Sequence, residues 1–342
     1  RYEEGWLHPY PFQTFAYVAG FAIVFRNNYA YQRYLQAREG LQQMGSKFAD
    51  LTSQAMAFDL VQDVPDTGEA QPARAARERE LEAFRDAFVH LVSLLHALAL
   101  QHFREDWNLD NLIPFASASP HPALNLRAQH AQAGTRPATA WDLPVFKLGA
   151  LPAGERAQGR MNVQMPLGVV GGLSDEEKAV LSYGADGGSL NRGPFAPGAE
   201  RAALCMHWLQ TLIVAQRAAG GLQVPGPVLS RLQQVLSDGM AAYNQCRRFT
   251  DSPFPMPYAN AVMLVLLMYT VSLPMLMWCW VTVPWLSATF AFIASLTYWL
   301  LHEVARDLED PFLYEPNELP LPRKQHLFNE RILQFRRVAA SP

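Results

Sequence analysis

A chain of 342 residues, 50% hydrophobic and 17% charged with a formal net charge of -3, is long enough for more than one compact unit, and its charge balance excludes the basic footprint of a nucleic-acid-binding protein. Cys205, Cys246 and Cys279 are widely separated and odd in number, so they supply neither a disulfide framework nor zinc spacing. The average composition would suit a soluble protein, yet residues 258–301 hold almost no charge; that concentration of apolar residues predicts an integral membrane protein.

In chain order, the first apolar stretch is Pro11–Phe25, short for a span and containing Gln13 and Thr14. A buried core helix is the alternative by length, but Arg26, Arg33, Arg38 and Lys47 follow it and favour a transmembrane segment with its basic flank on one side. Residues 1–10, with Glu3 and Glu4, then lie on the opposite side. The sequence starts at Arg1 without a signal-like region, so a preceding span or targeting segment is expected.

Residues 26–257 form the next segment, expected to be a helical soluble domain. Ala30–Leu60 and Ala75–Phe103 are free of proline, and in the second Phe84, Phe88, Leu91, Leu95 and Leu98 recur at three and four. Pro65, Gly68 and Pro72 mark a loop between them. A Pro/Gly-rich insertion at about 104–198 has little periodicity and no convincing strand pattern, and is expected to be largely mobile. Within it, Ser174 with Glu177 signals one short helix. Amphipathic helices are predicted over Ala199–Ala219 and Val228–Phe249.

Residues 258–301 follow as a transmembrane hairpin. Tyr258–Trp280 supplies more than the roughly 20 residues a span requires and Trp285–Leu301 is about one more span, and Trp278, Trp280 and Trp285 cluster at the connection, where indoles favour the interface. Arg247, Arg248, Arg306, Arg323 and Lys324 put the hairpin's outer flanks on the same side as Arg26. The C-terminal segment 302–342 sits on that side too. Its stretch Pro320–Val338 mixes apolar and basic residues and either lies on a membrane surface or packs as a terminal helix.

Three segments occur in order: FRNNYAYQRYLQAR at Phe25–Arg38, DSPFPMPYA at Asp251–Ala259 and EDPFLYEPNELPL at Glu309–Leu321. Together they resemble the bestrophins, the bacterial, plant and algal branch more than the animal one. The resemblance covers most of the chain; the departures are region 104–170 and the absent first helix. It implies an all-α, multi-pass membrane fold, transmembrane helices plus a helical soluble domain, assembled as a homopentamer around one anion pore. Membrane lipids and chloride or bicarbonate ions are the implied partners. Plant and algal relatives sit in thylakoid membranes, which makes a plastid thylakoid location an expectation.

Matching FRNN to the family places the pore neck at Tyr17, Phe21 and Phe25. Spacing of four puts these on one helical face, and five copies would make each a ring. Rings that present aromatic edges favour an anion, and apolar constrictions can gate by dewetting. The alternative has the three side chains packed against neighbouring helices. Arg26 and Arg33 are candidate anion-attracting residues, unless paired with acids. Asp307, Asp310, Glu315 and Glu318 fall where animal bestrophins bind calcium, but the acidic run is interrupted and a site needs six to eight oxygens; capping and subunit contact are the competing roles, and no cofactor is expected.

His302-Glu303 begins like a zinc-protease HExxH motif, but Arg306 stands where the second histidine belongs. His90, His96 and His102 are six apart and do not form a ligand pair on one face. With no catalytic motif, an enzyme is not expected. A non-conducting membrane scaffold of the same fold, binding a partner through its soluble domain, is the second functional reading.

Overall fold

The computed structural model describes residues 10–60, 71–118, 166–182, 197–252, 254–312 and 319–340. Among these are eight α-helices: α1 (Tyr10–Leu60), α2 (Gln71–Phe103), α3 (Asp175–Ser182), α4 (Pro197–Ala218), α5 (Gly226–Asp251), α6 (Met256–Trp280), α7 (Pro284–Glu309) and α8 (Leu321–Ala340). The two segments expected as Pro11–Phe25 and Ala30–Leu60 are one helix of 51 residues. No proline falls between them, and the Asn27 side chain also follows the helix, its Nδ2 donating to the Ile23 carbonyl at 3.0 Å. Its helical path of about 75 Å exceeds twice a bilayer's hydrocarbon thickness.

The chain divides into two compact units. The first comprises Arg1–Arg38, Ser252–Pro311 and Glu315–Glu318; the second comprises Glu39–Asp251, Phe312–Tyr314 and Leu319–Pro342. In the first unit the start of α1 packs on the α6–α7 hairpin. Ala19 joins Tyr269, Leu273 and Ala291 in one buried cluster, and Ile23 joins Val262 and Leu266 in another. Gly20 permits the close approach, since a Cβ there would lie 3.1 Å from the Tyr298 hydroxyl.

The outer surface of the hairpin is apolar. Leu264, Met268, Val271, Met275, Phe292 and Leu300 are all exposed, as expected of side chains that meet lipid rather than water. Among the described residues three helices are long and apolar enough to cross a membrane, but they differ in burial. In Arg79–Phe103 67% of the apolar window is buried, against 22% in Pro257–Trp280 and 11% in Pro284–Glu309. The first is therefore the core helix of the second unit, and the other two are the spans.

In that second unit α2 packs against α4, α5 and α8. Its C-terminal half is buried all round, Val92, Leu95 and Leu98 on one face and Leu94, Ala97 and Leu100 on others, the pattern of a helix inside a core. α8 packs here through Phe328, Asn329 and Ile332, so the terminal-packing alternative for Pro320–Val338 holds.

A two-stranded parallel sheet, β1 (Leu112–Pro114) with β2 (Leu167–Val169), pairs Leu112 with Leu167 and Pro114 with Val169. The expectation of no strands is corrected here. Three residues cannot display a period of two, and β2 is buried at all three positions. Gly168 fits under Phe115 and Ala118, which would stand 3.2 and 2.7 Å from an added Cβ. The capping box is formed: Ser174 Oγ accepts from the Glu177 amide at 3.2 Å, and Glu177 Oε2 accepts from the Ser174 amide at 2.9 Å. Residues 119–165 and 183–196 of the Pro/Gly-rich stretch lie outside the described residues, as do residues 1–9 and most of the 61–73 loop.

Candidate functional site

On α1 the positions that face the hairpin are Phe12, Phe15, Ala16, Ala19 and Ile23. Helical geometry turns the intervening positions the other way. Tyr17, Phe21 and Phe25 are 77%, 73% and 53% exposed, so among the described residues they are not buried between helices. They form one stripe with Thr14, Val18 and Asn28. Phe21 and Phe25 stack with ring centroids 6.3 Å apart, and Tyr258 meets Phe25 edge-on. A mostly apolar stripe this large on a monomer needs another surface or a narrow lumen to cover it.

At the end of the stripe the chain buries a charged cluster. Arg26 is 3% exposed and grips Glu309 through two parallel bonds, Nε to Oε1 at 2.7 Å and Nη2 to Oε2 at 3.0 Å. Its remaining Nη1 donates to His302 Nδ1 at 3.0 Å. The guanidinium also lies over the Phe254 ring, 5.6 Å from the centroid. Two further turns along α1, Arg33 Nε donates to the Glu309 carbonyl and Nη1 to the Ser252 carbonyl, both at 3.0 Å. A fork engaged on both oxygens of one carboxylate is the strong geometry for such a pair, and neutralisation at contact leaves little net field for a distant ion.

The three sequence segments of the resemblance thus meet at one place. FRNNYAYQRYLQAR supplies Arg26 and Arg33, DSPF supplies the Ser252 carbonyl and Phe254, and EDPF supplies Glu309 twice. Sequence reading singled out the two arginines and met Glu309 only as the first residue of the third segment, in the acidic run. It passed over His302 once HExxH failed. The helical register could have suggested the pairing, since Arg26 and Arg33 are seven apart and share a face, but nothing local names their partners.

Of the acidic residues considered for calcium, Asp307 is half-buried and Asp310 exposed, while Glu315 and Glu318 lie outside the described residues. Among the described residues no three His, Cys, Asp or Glu side chains gather as a metal site. The three α2 histidines go to separate partners: His90 to Glu177 and the Val170 carbonyl, His96 to Gln325, His102 to the Tyr243 hydroxyl. None of Cys205, Cys246 and Cys279 is in a disulfide.

Comparison with known proteins agrees with the geometry. The family model described as bacterial/fungal bestrophin protein matches residues 4–135 and 190–332. Two crystal structures of a bacterial bestrophin homologue from Klebsiella pneumoniae superpose with TM-scores of 0.61 and 0.62 at 14% and 13% identity. The first match covers 98% of this chain and 90% of the homologue; the second, to a point variant, covers 96% and 88%. At that identity they show the fold. A curated relative, the voltage-dependent anion channel-forming protein alr2987 of Nostoc sp., is 28% identical over 93 residues; the match spans 27% of this chain and 30% of that protein. With the family model matching well over half of its length, a transmembrane hairpin and the solved fold, this chain is a membrane protein belonging to the bestrophin family.

Proposed function

We propose that the chain is one subunit of a homopentameric anion channel that passes chloride, and bicarbonate with it, through a neck ringed by Tyr17, Phe21 and Phe25. The observation that carries this reading is the two-sided character of α1. Its small and aliphatic face is buried on the hairpin, while the aromatics spaced four apart stand free. Rings of aromatic edges offer an anion partial positive charge without a tightly binding ion pair, and a constriction without fixed charge lets ions leave as readily as they enter. The name of the Nostoc relative points the same way.

Arg26 is a positioning residue in this reading, holding α1 to Glu309 rather than drawing ions, and Arg33 ties the same helix to the Glu309 and Ser252 carbonyls. The test is anion flux through liposomes carrying the purified protein, wild type against Phe21→Ala. Shortening Phe21 widens the middle ring in every subunit at once, so flux should rise and discrimination among anions should fall. An assembled Phe21→Ala protein with unchanged flux and selectivity removes Phe21 from the pore. An intact oligomer that passes no anion in the wild type supports the scaffold reading instead.

A further inference from the structure

The second unit contains a cleft of about 160 Å³ between α1 and α8, whose polar lining is Gln42, Ser46, His96, Lys324 and Arg331. A larger cleft near His90, about 640 Å³, has its charged groups already engaged: His90 with Glu177 and the Val170 carbonyl, Arg336 with Asp86. In the smaller one, Arg331 has no protein partner among the described residues, and Lys324 reaches only the Gln42 amide oxygen, at 3.4 Å. Two cations therefore converge on a recess with no carboxylate in its lining.

The back wall fixes a proton inventory. Gln325 Nε2 donates to the Ser93 and Gly168 carbonyls at 3.2 and 3.0 Å, and carbonyls can only accept. Its Oε1 must then be the atom facing His96 Nδ1, so Nδ1 carries the hydrogen and Nε2 is a bare acceptor. The imidazole cannot turn, because Phe328 stacks on it at 4.1 Å and Phe48 meets it edge-on. His96 is 2% exposed, and the Nε2 atom has no protein donor among the described residues. Beside two cations sits an acceptor that asks for a proton.

We propose that this cleft binds a small oxyanion that still carries one proton, hydrogen phosphate being the model ligand: Arg331 and Lys324 take its charged oxygens and its O–H donates to His96 Nε2. Burial holds the His96 ring pKa down to about 4, so Nε2 remains an acceptor near neutral pH. The recess is well below the size of pockets that hold drug-sized ligands, which suits a single tetrahedral ion. Hydrogencarbonate has the same donor. Sulfate does not, and a phosphomonoester dianion, whose last proton leaves near pH 6, does not either. The site lies wholly within the second unit and does not depend on the conduction reading.

The test is calorimetric titration of inorganic phosphate into the purified full chain in detergent, at about pH 7.5 where the free ion keeps one proton and a monoester has none. Saturable binding of one phosphate per chain is expected, weakened about tenfold or more by either Arg331→Gln or Lys324→Gln, as for loss of one charged hydrogen bond. Sulfate and glycerol phosphate should bind at least about tenfold more weakly, because a buried acceptor is left without its donor. The thermal midpoint of each variant without ligand checks that both fold, and a phosphate-dependent rise in the wild-type midpoint gives a second readout. No binding to the wild type, equal binding of sulfate and phosphate, or undiminished binding in both variants overturns the proposal.

Discussion

Replacing Glu309 with Gln changes one atom and one charge, and the structure says what that costs. Arg26 and Glu309 are 3% and 6% exposed, joined by bonds of 2.7 and 3.0 Å. A glutamine can still accept one of them through its oxygen, but its amide nitrogen then faces a guanidinium N–H. The guanidinium stays buried without a counter-charge, a condition that costs ~3–5 kcal/mol and lowers the unfolding midpoint on the order of 10 °C. The Arg33 bond goes to the Glu309 backbone carbonyl and survives the substitution, which keeps the experiment clean. Thermal unfolding in detergent of wild type, Glu309→Gln, Arg26→Met and the Arg26→Met/Glu309→Gln double variant closes the cycle. Removing both charges should cost much less than removing one, because the desolvation penalty disappears with the attraction. A single variant within ~1 kcal/mol of wild type, the range of an exposed pair, or a double variant as damaged as the worse single one, would refute the reasoning.

The second unit should lose stability in mild acid through its buried histidines. Burial holds the His96 pKa at about 4, below the ordinary 6.5, with the Gln325 bond only partly offsetting it, and burial lowers His102 in the same sense. A depressed folded-state pKa means that the unfolded chain binds the proton first, so the contribution is intact above about 6.5 and is lost as pH falls toward about 4, ~3 kcal/mol for His96. Unfolding midpoints measured across that window should fall more steeply for wild type than for His96→Phe, and parallel curves would sink the assignment. Gly239→Ala should destabilise by ~1–3 kcal/mol, since its Cβ would fall 2.4 Å from the ring of the fully buried Phe48; a midpoint equal to wild type in chemical denaturation would show that the ring has room to shift.

How far the sequence spoke depended on how far apart the cooperating residues lie. The hairpin was legible because Tyr258–Trp280 and Trp285–Leu301 carry their signal locally, in uninterrupted apolar runs. The α3 cap was legible because Ser174 and Glu177 are three residues apart. The parallel strands were not: β1 and β2 are separated by a Pro/Gly-rich stretch, and each is too short to show alternation. The unbroken α1 was missed for a different reason. Arg26, Asn27 and Asn28 look like the end of a span, whereas Arg26 can continue the helix because Glu309, 283 residues away, neutralises it.

That long-range pair also explains why the exposed aromatic stripe and the charged cluster occur together. An exposed aromatic stripe has a defined direction only if the opposite face of its helix cannot rotate. Apolar contacts with Ala19 and Ile23 resist separation but are tolerant of small turns about the helix axis, because dispersion is non-directional. A bidentate guanidinium–carboxylate fork fixes orientation as well as distance. Arg26 is the residue directly after Phe25, so the angular error transmitted from fork to ring is as small as the chain allows, and Arg33, a further two turns along, fixes the same face a second time. Loss of the fork should therefore blur the direction of Phe25 more than that of Tyr17, two turns further from it. Under the proposed pore reading, selectivity at the ring of Phe25 is the property most exposed to a change at Glu309, a residue that itself never faces the stripe.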